Sequence, residues 1–176
     1  MIIDFFKTAV NLKKISRQGW IDKLSIDTPE SVADHSYSMA IMSMVLSDLE
    51  NYDSEKVIKM ALLHDLAESK IGDYTPEQLN KEKKIEMENN AFQEIIKNLP
   101  DSIKLKYLQI WKEYQENISP ESKLVHQIDR LEMTLQAKIY EKDGHSKVKL
   151  ESFFESAKAE ITNPTLKELF TKIINE

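Results

Sequence analysis

Apolar residues recur along this chain at intervals of three and four, the period of a helix with one buried face. Val32, Met39, Met42, Leu46 and Leu49 form one such stripe, Val57, Ile58, Ala61 and Leu62 a second, and Leu124, Ile128, Leu131 and Leu135 a third. No alternating strand pattern and no internal repeat interrupts them. Three glycines and five prolines are too few for a turn-rich β protein, and they read as helix punctuation. Four prolines follow a capping residue, in Thr28-Pro29, Thr75-Pro76, Ser119-Pro120 and Asn163-Pro164. This places the cap outside and proline at the first helical position, where its missing N–H costs nothing. Thr75 with Gln78 also matches a capping box. Gly19, Gly72 and Gly144 fall between periodic segments, where glycine closes a preceding helix. Helices are predicted near 2–17, 30–50, 54–70, 76–98, 101–117, 120–142, 146–161 and 164–175. The expected fold is all-α, a bundle of about seven to eight helices in a single domain over 1–176.

Composition narrows the class. With 41% apolar and 31% charged residues in 176, the chain is globular and long enough for one substantial core. No apolar run exceeds four residues (39–42 and 60–63), against the ~20 of a membrane-spanning helix, and Asp4 comes early; neither an anchor nor a secretory signal is expected. The absence of cysteine removes disulfides, cysteine nucleophiles and thiolate metal sites, and is compatible with a reducing compartment. A cytoplasmic location is expected. The formal charge is −6, with Lys81, Lys83 and Lys84 interspersed with Glu82 and Glu86, so a nucleic acid polymer is not the expected partner. The stretch from Glu77 to Asn90 reads as a solvated helix face. A small phosphate ester stays compatible if the site supplies its own positive charge.

Candidate chemistry appears where polar residues enter the apolar stripes. His35 falls in the middle of the first stripe; alone, it reads as a core histidine with one satisfied hydrogen bond. His64, Asp65 and Glu68 then project from one side of the next helix. A buried ionised carboxylate without a partner costs several kcal/mol, and no Lys or Arg lies on that face. A divalent cation resolves the conflict, since imidazole and carboxylate are ligands for borderline metals. Asp129 lies with Val125 on the flank of the third stripe, where periodicity alone would leave it exposed and paired with Arg130 or a lysine. His126 and His145 read as surface or interhelical residues.

His35, His64-Asp65 and Asp129 resemble the ligand pattern of the HD superfamily of metal-dependent phosphohydrolases. Glu30-Ser-Val-Ala-Asp-His35, Ala61-Leu-Leu-His-Asp-Leu-Ala-Glu68, Ile71-Gly-Asp-Tyr-Thr-Pro76 and Asp129-Arg-Leu-Glu-Met133 are similar to its 5′-deoxynucleotidase branch, also called the HD domain-containing protein 2 family. The resemblance runs from Arg17 to the last helix. It implies an all-helical HD-domain bundle that hydrolyses deoxyribonucleoside 5′-monophosphates to deoxynucleoside and phosphate. It further implies one divalent transition metal ion on His35, His64, Asp65 and Asp129, with Co²⁺ or Mn²⁺ first and Fe²⁺, Ni²⁺ or Zn²⁺ also suited. Glu68 and Asp73 correspond to the catalytic acidic pair, Arg17 to a phosphate contact and Trp20 to the wall that excludes ribose. In some bacterial members the arginine and tryptophan are adjacent, whereas Gln18 and Gly19 separate them here. A homodimer is implied as well. Competing expectations are an HD phosphohydrolase acting on another nucleotide, a metal-dependent nucleotide sensor without catalysis, and a purely structural bundle that retains no metal.

Overall fold

Capping side chains decide where the helices begin. In the computed structural model, which describes residues 2–176, Ser119 and Asn163 accept the backbone N–H groups of Ser122 and Leu166 at 3.0 and 3.1 Å. They open α8 (Pro120–Lys142) and α10 (Pro164–Ile174) with proline in the first turn, as predicted. Met1, the first residue of the domain expected over 1–176, lies outside the described residues. The other two proline pairs do not start helices. α3 (Val32–Leu49) opens three residues after Pro29, because Ser31 and Asp34 form a reciprocal capping box at 3.2 and 2.9 Å. α6 (Lys81–Ile96) opens on Asn80, which accepts the Lys83 N–H. Thr75-Pro76 lies in a turn, and the Thr75 hydroxyl donates to Asp22 at 3.2 Å instead of capping. Only half of the expected box forms there, the Thr75 N–H reaching Gln78 Oε1 at 3.3 Å.

The remaining elements are α1 (Ile2–Asn11), a 3-10 turn (Leu12–Lys14), α2 (Gln18–Leu24), α4 (Ser54–Leu63), α5 (Glu68–Ile71), α7 (Asp101–Glu116) and α9 (Lys147–Glu160). The all-α expectation holds, with ten α-helices among the described residues. The two extra are α2 and α5. The helix expected over 2–17 stops early because Val32 N–H bonds Ile15 O and Arg17 N–H bonds Glu30 O, at 2.8 and 3.1 Å. This isolated antiparallel bridge between Ser16 and Ser31 holds residues 15–17 extended, so Gly19 sits inside α2 and does not close a helix. Gly72 and Gly144 do adopt positive φ, 86° and 96°, after α5 and α8.

α8 runs through the middle of the fold. Its Leu124, Val125, Ile128 and Leu131 meet Met39 and Leu46 of α3, Val57 and Met60 of α4, and Leu166 and Phe170 of α10. Its Met133, Ala137 and Tyr140 pack with Trp20, Leu24 and Leu150. A third cluster joins Leu63, Leu66 and Ala67 to Phe92 of α6 and Trp111 of α7, whose rings stack at 4.2 Å. Each fully buried Leu or Met contributes roughly 1.5–3 kcal/mol, enough for these clusters to set helix orientation. Leu49, Leu62 and Leu135 are exposed, contrary to the stripes; Met60, Leu63 and Val125 take the core positions instead. No helix among the described residues is long and apolar enough to cross a membrane.

Candidate metal centre

The helix expected over 54–70 breaks at its functional point. α4 ends at Leu63, and residues 64–67 turn before α5 opens at Glu68. Leu66 and Ala67 are drawn into the cluster around Phe92, and the turn is closed by Leu66 N–H to Leu63 O and Glu68 N–H to Asp65 O, 3.1 and 3.0 Å. His64 and Asp65 are thereby presented at the end of a helix. The His64 Nδ1 is held at 2.7 Å by the Ala61 carbonyl. His35 stands in the first turn of α3, one turn past its cap, with no exposed surface. Its Nδ1 meets Glu132 Oε2 at 2.6 Å.

These constraints turn both Nε2 atoms into one space. His35 Nε2 lies 3.3 Å from Asp129 Oδ1 and 3.8 Å from Asp65 Oδ2, and His64 Nε2 lies 3.1 Å from Asp65 Oδ2. Both nitrogens are buried and neither has a hydrogen-bond partner. Buried ring nitrogens without partners are rare because the desolvation cost is not recovered. Donor atoms of His35, His64 and Asp129 lie within 4.8 Å of one another, and Asp65 adds an oxygen close to both imidazoles. Two nitrogens and two oxygens so arranged fit a divalent transition metal ion.

Electrostatics agree with a place for positive charge. Burial pulls the His35 pKa down, and Arg17 adds to that, yet the contacts with Asp129 and Glu132 outweigh both and push it up to about 10. Burial alone would raise Asp65 and Asp129. Nearby positive charge, from His64 and Arg17 for the first and His35 and Arg130 for the second, brings both below the usual carboxylate range. Glu68 goes the other way: burial, reinforced by Asp65 and Asp73, pushes it well above that range.

The sequence places no cation on the face that carries His64, Asp65 and Glu68, and the structure supplies two from elsewhere. Arg17 Nη1 reaches Asp65 Oδ2 at 3.2 Å. Lys84 of α6 reaches Glu68 Oε1 at 3.3 Å and Asp73 Oδ1 at 3.8 Å, and donates to the Tyr74 carbonyl at 3.2 Å. The stretch from Glu77 to Asn90 is therefore not wholly a solvated face, since Lys84 and Glu88 line the cleft. Asp73 is fixed by the Gln18 N–H at 2.8 Å.

A cleft of about 610 Å³ opens above this floor, within the range of small-molecule sites. His64, Asp65, Glu68, Asp73 and Asp129 line it together with Arg17 and Trp20. His35 lies behind them, fully buried. The Trp20 ring is 2% exposed, packs on Phe153 at 4.3 Å, and donates its indole N–H to Glu30 at 2.8 Å. All eight residues singled out from the sequence thus converge on one site. Sequence reasoning assigned nothing to Lys84, Glu132 or Glu30. Glu132 carried a signal, three residues past Asp129 on one helix, whereas Lys84 carried none among its charged neighbours. His126, read as a surface or interhelical residue, stacks on Tyr114 at 4.1 Å and lies at the cleft wall.

Residues 9–169 match the HD domain family. The chain is 40% identical to 5′-deoxynucleotidase HDDC2 of Dictyostelium discoideum, over 95% of this chain and 93% of that protein. It is 34% identical to 5′-deoxynucleotidase HDDC2 of Homo sapiens, over 98% and 84%. A solved structure of a conserved hypothetical protein from Pyrococcus furiosus superposes with a TM-score of 0.81 at 32% identity, covering 99% of each chain. The chain belongs to the HD domain family, in the branch of the 5′-deoxynucleotidases HDDC2.

Proposed function

We propose that this protein hydrolyses deoxyribonucleoside 5′-monophosphates to deoxynucleoside and phosphate, with one divalent metal ion on His35, His64, Asp65 and Asp129. The observation that carries the reading is the pair of buried, unpartnered Nε2 atoms facing Asp65 and Asp129, at the floor of a cleft that also holds Glu68 and Asp73. The names of the curated relatives supply the substrate class. The nitrogen and oxygen donor set suits Co²⁺ or Mn²⁺ first, and Fe²⁺, Ni²⁺ or Zn²⁺ as well. Such an ion supplies Lewis acidity and countercharge for the phosphoryl group.

The chain's own residues do the rest. Arg17 offers a planar fork to the phosphate from beside Asp65. Hydrolysis needs in-line geometry more than covalent help, so Glu68 and Asp73 orient the attacking water and return a proton to the leaving 5′ oxygen. Lys84 holds both carboxylates on one side of the cleft. Trp20 forms the sugar wall. Its one polar atom is already taken by Glu30, so a 2′-hydroxyl set against the ring finds no hydrogen-bond partner there.

We place the enzyme in the cytoplasm, acting on free nucleotides through a single domain over 1–176, as a homodimer. Support for a second copy comes from α3, where Tyr37, Ile41, Val45 and Leu49 recur every fourth residue on an exposed face. The test is phosphate release from a panel of deoxy- and ribonucleoside 5′-monophosphates, using EDTA-stripped protein before and after adding Co²⁺ or Mn²⁺. Release restored by metal and confined to deoxy compounds is expected. Metal binding without release from any monophosphate refutes the substrate assignment and favours a nucleotide sensor.

A further inference from the structure

The two imidazoles at the centre are held in different ways. His64 Nδ1 is fixed by a neutral carbonyl of its own helix, Ala61 O at 2.7 Å. His35 Nδ1 is fixed by a carboxylate from across the fold, Glu132 Oε2 of α8 at 2.6 Å. Glu132 is 4% exposed, and no Lys or Arg pairs with it among the described residues. A buried carboxylate in that position costs several kcal/mol, and the His35 ring is the partner that offsets it. Behind Glu132 stands Glu30, and one carboxylate oxygen from each lies with a His35 ring nitrogen within 4.8 Å of one another. Glu30 in turn accepts the Trp20 indole N–H.

We infer that Glu132 is a positioning residue for the metal centre: it accepts a hydrogen bond from His35 Nδ1, fixes that tautomer and ring orientation, and leaves Nε2 as a strengthened donor towards the ion. Histidine ligands gain basicity when the second ring N–H is held by a carboxylate, and loss of such a partner weakens metal binding roughly 10–100-fold. Because Asp129 and Glu132 are three residues apart on α8, one helical turn supplies both an oxygen to the centre and the carboxylate that orients an opposing nitrogen. Glu30 continues the arrangement outward, so the Trp20 wall and the His35 ligand rest on neighbouring carboxylates. This inference rests on the metal-centre reading proposed above.

The test uses the full chain with Zn²⁺ as a diamagnetic probe. Glu132→Gln keeps size and hydrogen-bonding capacity and removes the charge. Chelator competition is expected to show Zn²⁺ bound roughly 10–100-fold more weakly by Glu132→Gln than by wild type. In the Zn²⁺-loaded wild type labelled with ¹⁵N-histidine, the His35 Nδ1 proton is expected far downfield and protected from exchange, and the variant is expected to move it upfield. Wild-type Zn²⁺ affinity in Glu132→Gln, with an unmoved Nδ1 proton, overturns the inference. If that variant does not fold, a wild-type spectrum without the protected downfield proton overturns it equally. His35→Ala separates the two levels. If it binds Zn²⁺ as wild type does, the metal-centre reading falls; if it loses Zn²⁺ while Glu132→Gln keeps it, only the role of Glu132 falls.

Discussion

Removing divalent metal from this protein is expected to lower its melting temperature, the direction following from the charges at the cleft floor and the size from mass action. Asp65, Asp129, Glu68 and Asp73 gather there, all with side chains 15% exposed or less, against Arg17, Lys84 and Arg130. With all four ionised, the carboxylates outnumber these three side-chain cations. A dication bound there is favoured strongly in the folded state and has no equivalent site in the unfolded chain. Free metal at a hundred times its Kd adds about 2.7 kcal/mol of stability. For a chain of this length each kcal/mol is worth roughly 2–4 °C, so loading the stripped protein raises Tm by about 5–11 °C. The assay is a thermal melt of EDTA-treated protein titrated with Mn²⁺ or Co²⁺, with Asp129→Asn alongside. Asp129→Asn keeps the shape of the side chain and removes one oxyanion, so its metal-dependent shift is expected to collapse. A wild-type Tm that does not move across the titration refutes the reasoning, as does an undiminished shift in Asp129→Asn.

Other outcomes follow from single contacts. Lys84→Met leaves Glu68 and Asp73 without their shared cation, so phosphate release from a deoxynucleoside monophosphate is expected to fall roughly 10–100-fold while the metal-dependent rise in Tm persists. A wild-type rate in that variant removes Lys84 from the site. Trp20→Ala is expected to erode the preference for deoxy over ribo substrates, which a wall of this kind sets at about 100-fold, read as the ratio of kcat/KM for the matched pair. Ser31→Ala removes the hydroxyl that accepts the Asp34 N–H, leaves the backbone half of the capping box in place, and costs about 1 kcal/mol. A melt registers this as a loss of roughly 2–4 °C.

Much of the fold and of the site can be read from the residues, and the failures share a cause. Ser119-Pro120 and Asn163-Pro164 mark helix starts correctly because capping is local: the cap, the proline and the N–H it satisfies lie within a few residues. Thr28-Pro29 and Thr75-Pro76 mislead because Ser31 with Asp34, and Asn80, are better caps a few residues on. The break after Leu63 is set by Leu66 and Ala67 packing on α6 and α7, a tertiary contact that periodicity does not encode. Asp129 shows the limit most clearly. Its helix pattern leaves it on a flank, and it becomes a half-buried neighbour of His35 only because α3 crosses α8 at that level. Lys84 was illegible for the same reason, and Glu132 showed only its spacing from Asp129, each gaining its contact from a partner on another helix.

The bridge between Ser16 and Ser31 also bears on how such a site can diversify. Residues 17–30 depart from and return to one point, tied at the base by Arg17 N–H to Glu30 O and Val32 N–H to Ile15 O. The excursion carries Trp20, while His35, His64, Asp65 and Asp129 all lie outside it. Loop-closure entropy changes slowly with length, so closure itself places little constraint on this segment. Its constraints are Trp20 and Leu24 in the core and the Gln18 N–H on Asp73. On the proposed role of Trp20, sugar choice is housed in a stretch of chain separate from the residues proposed to hold the metal.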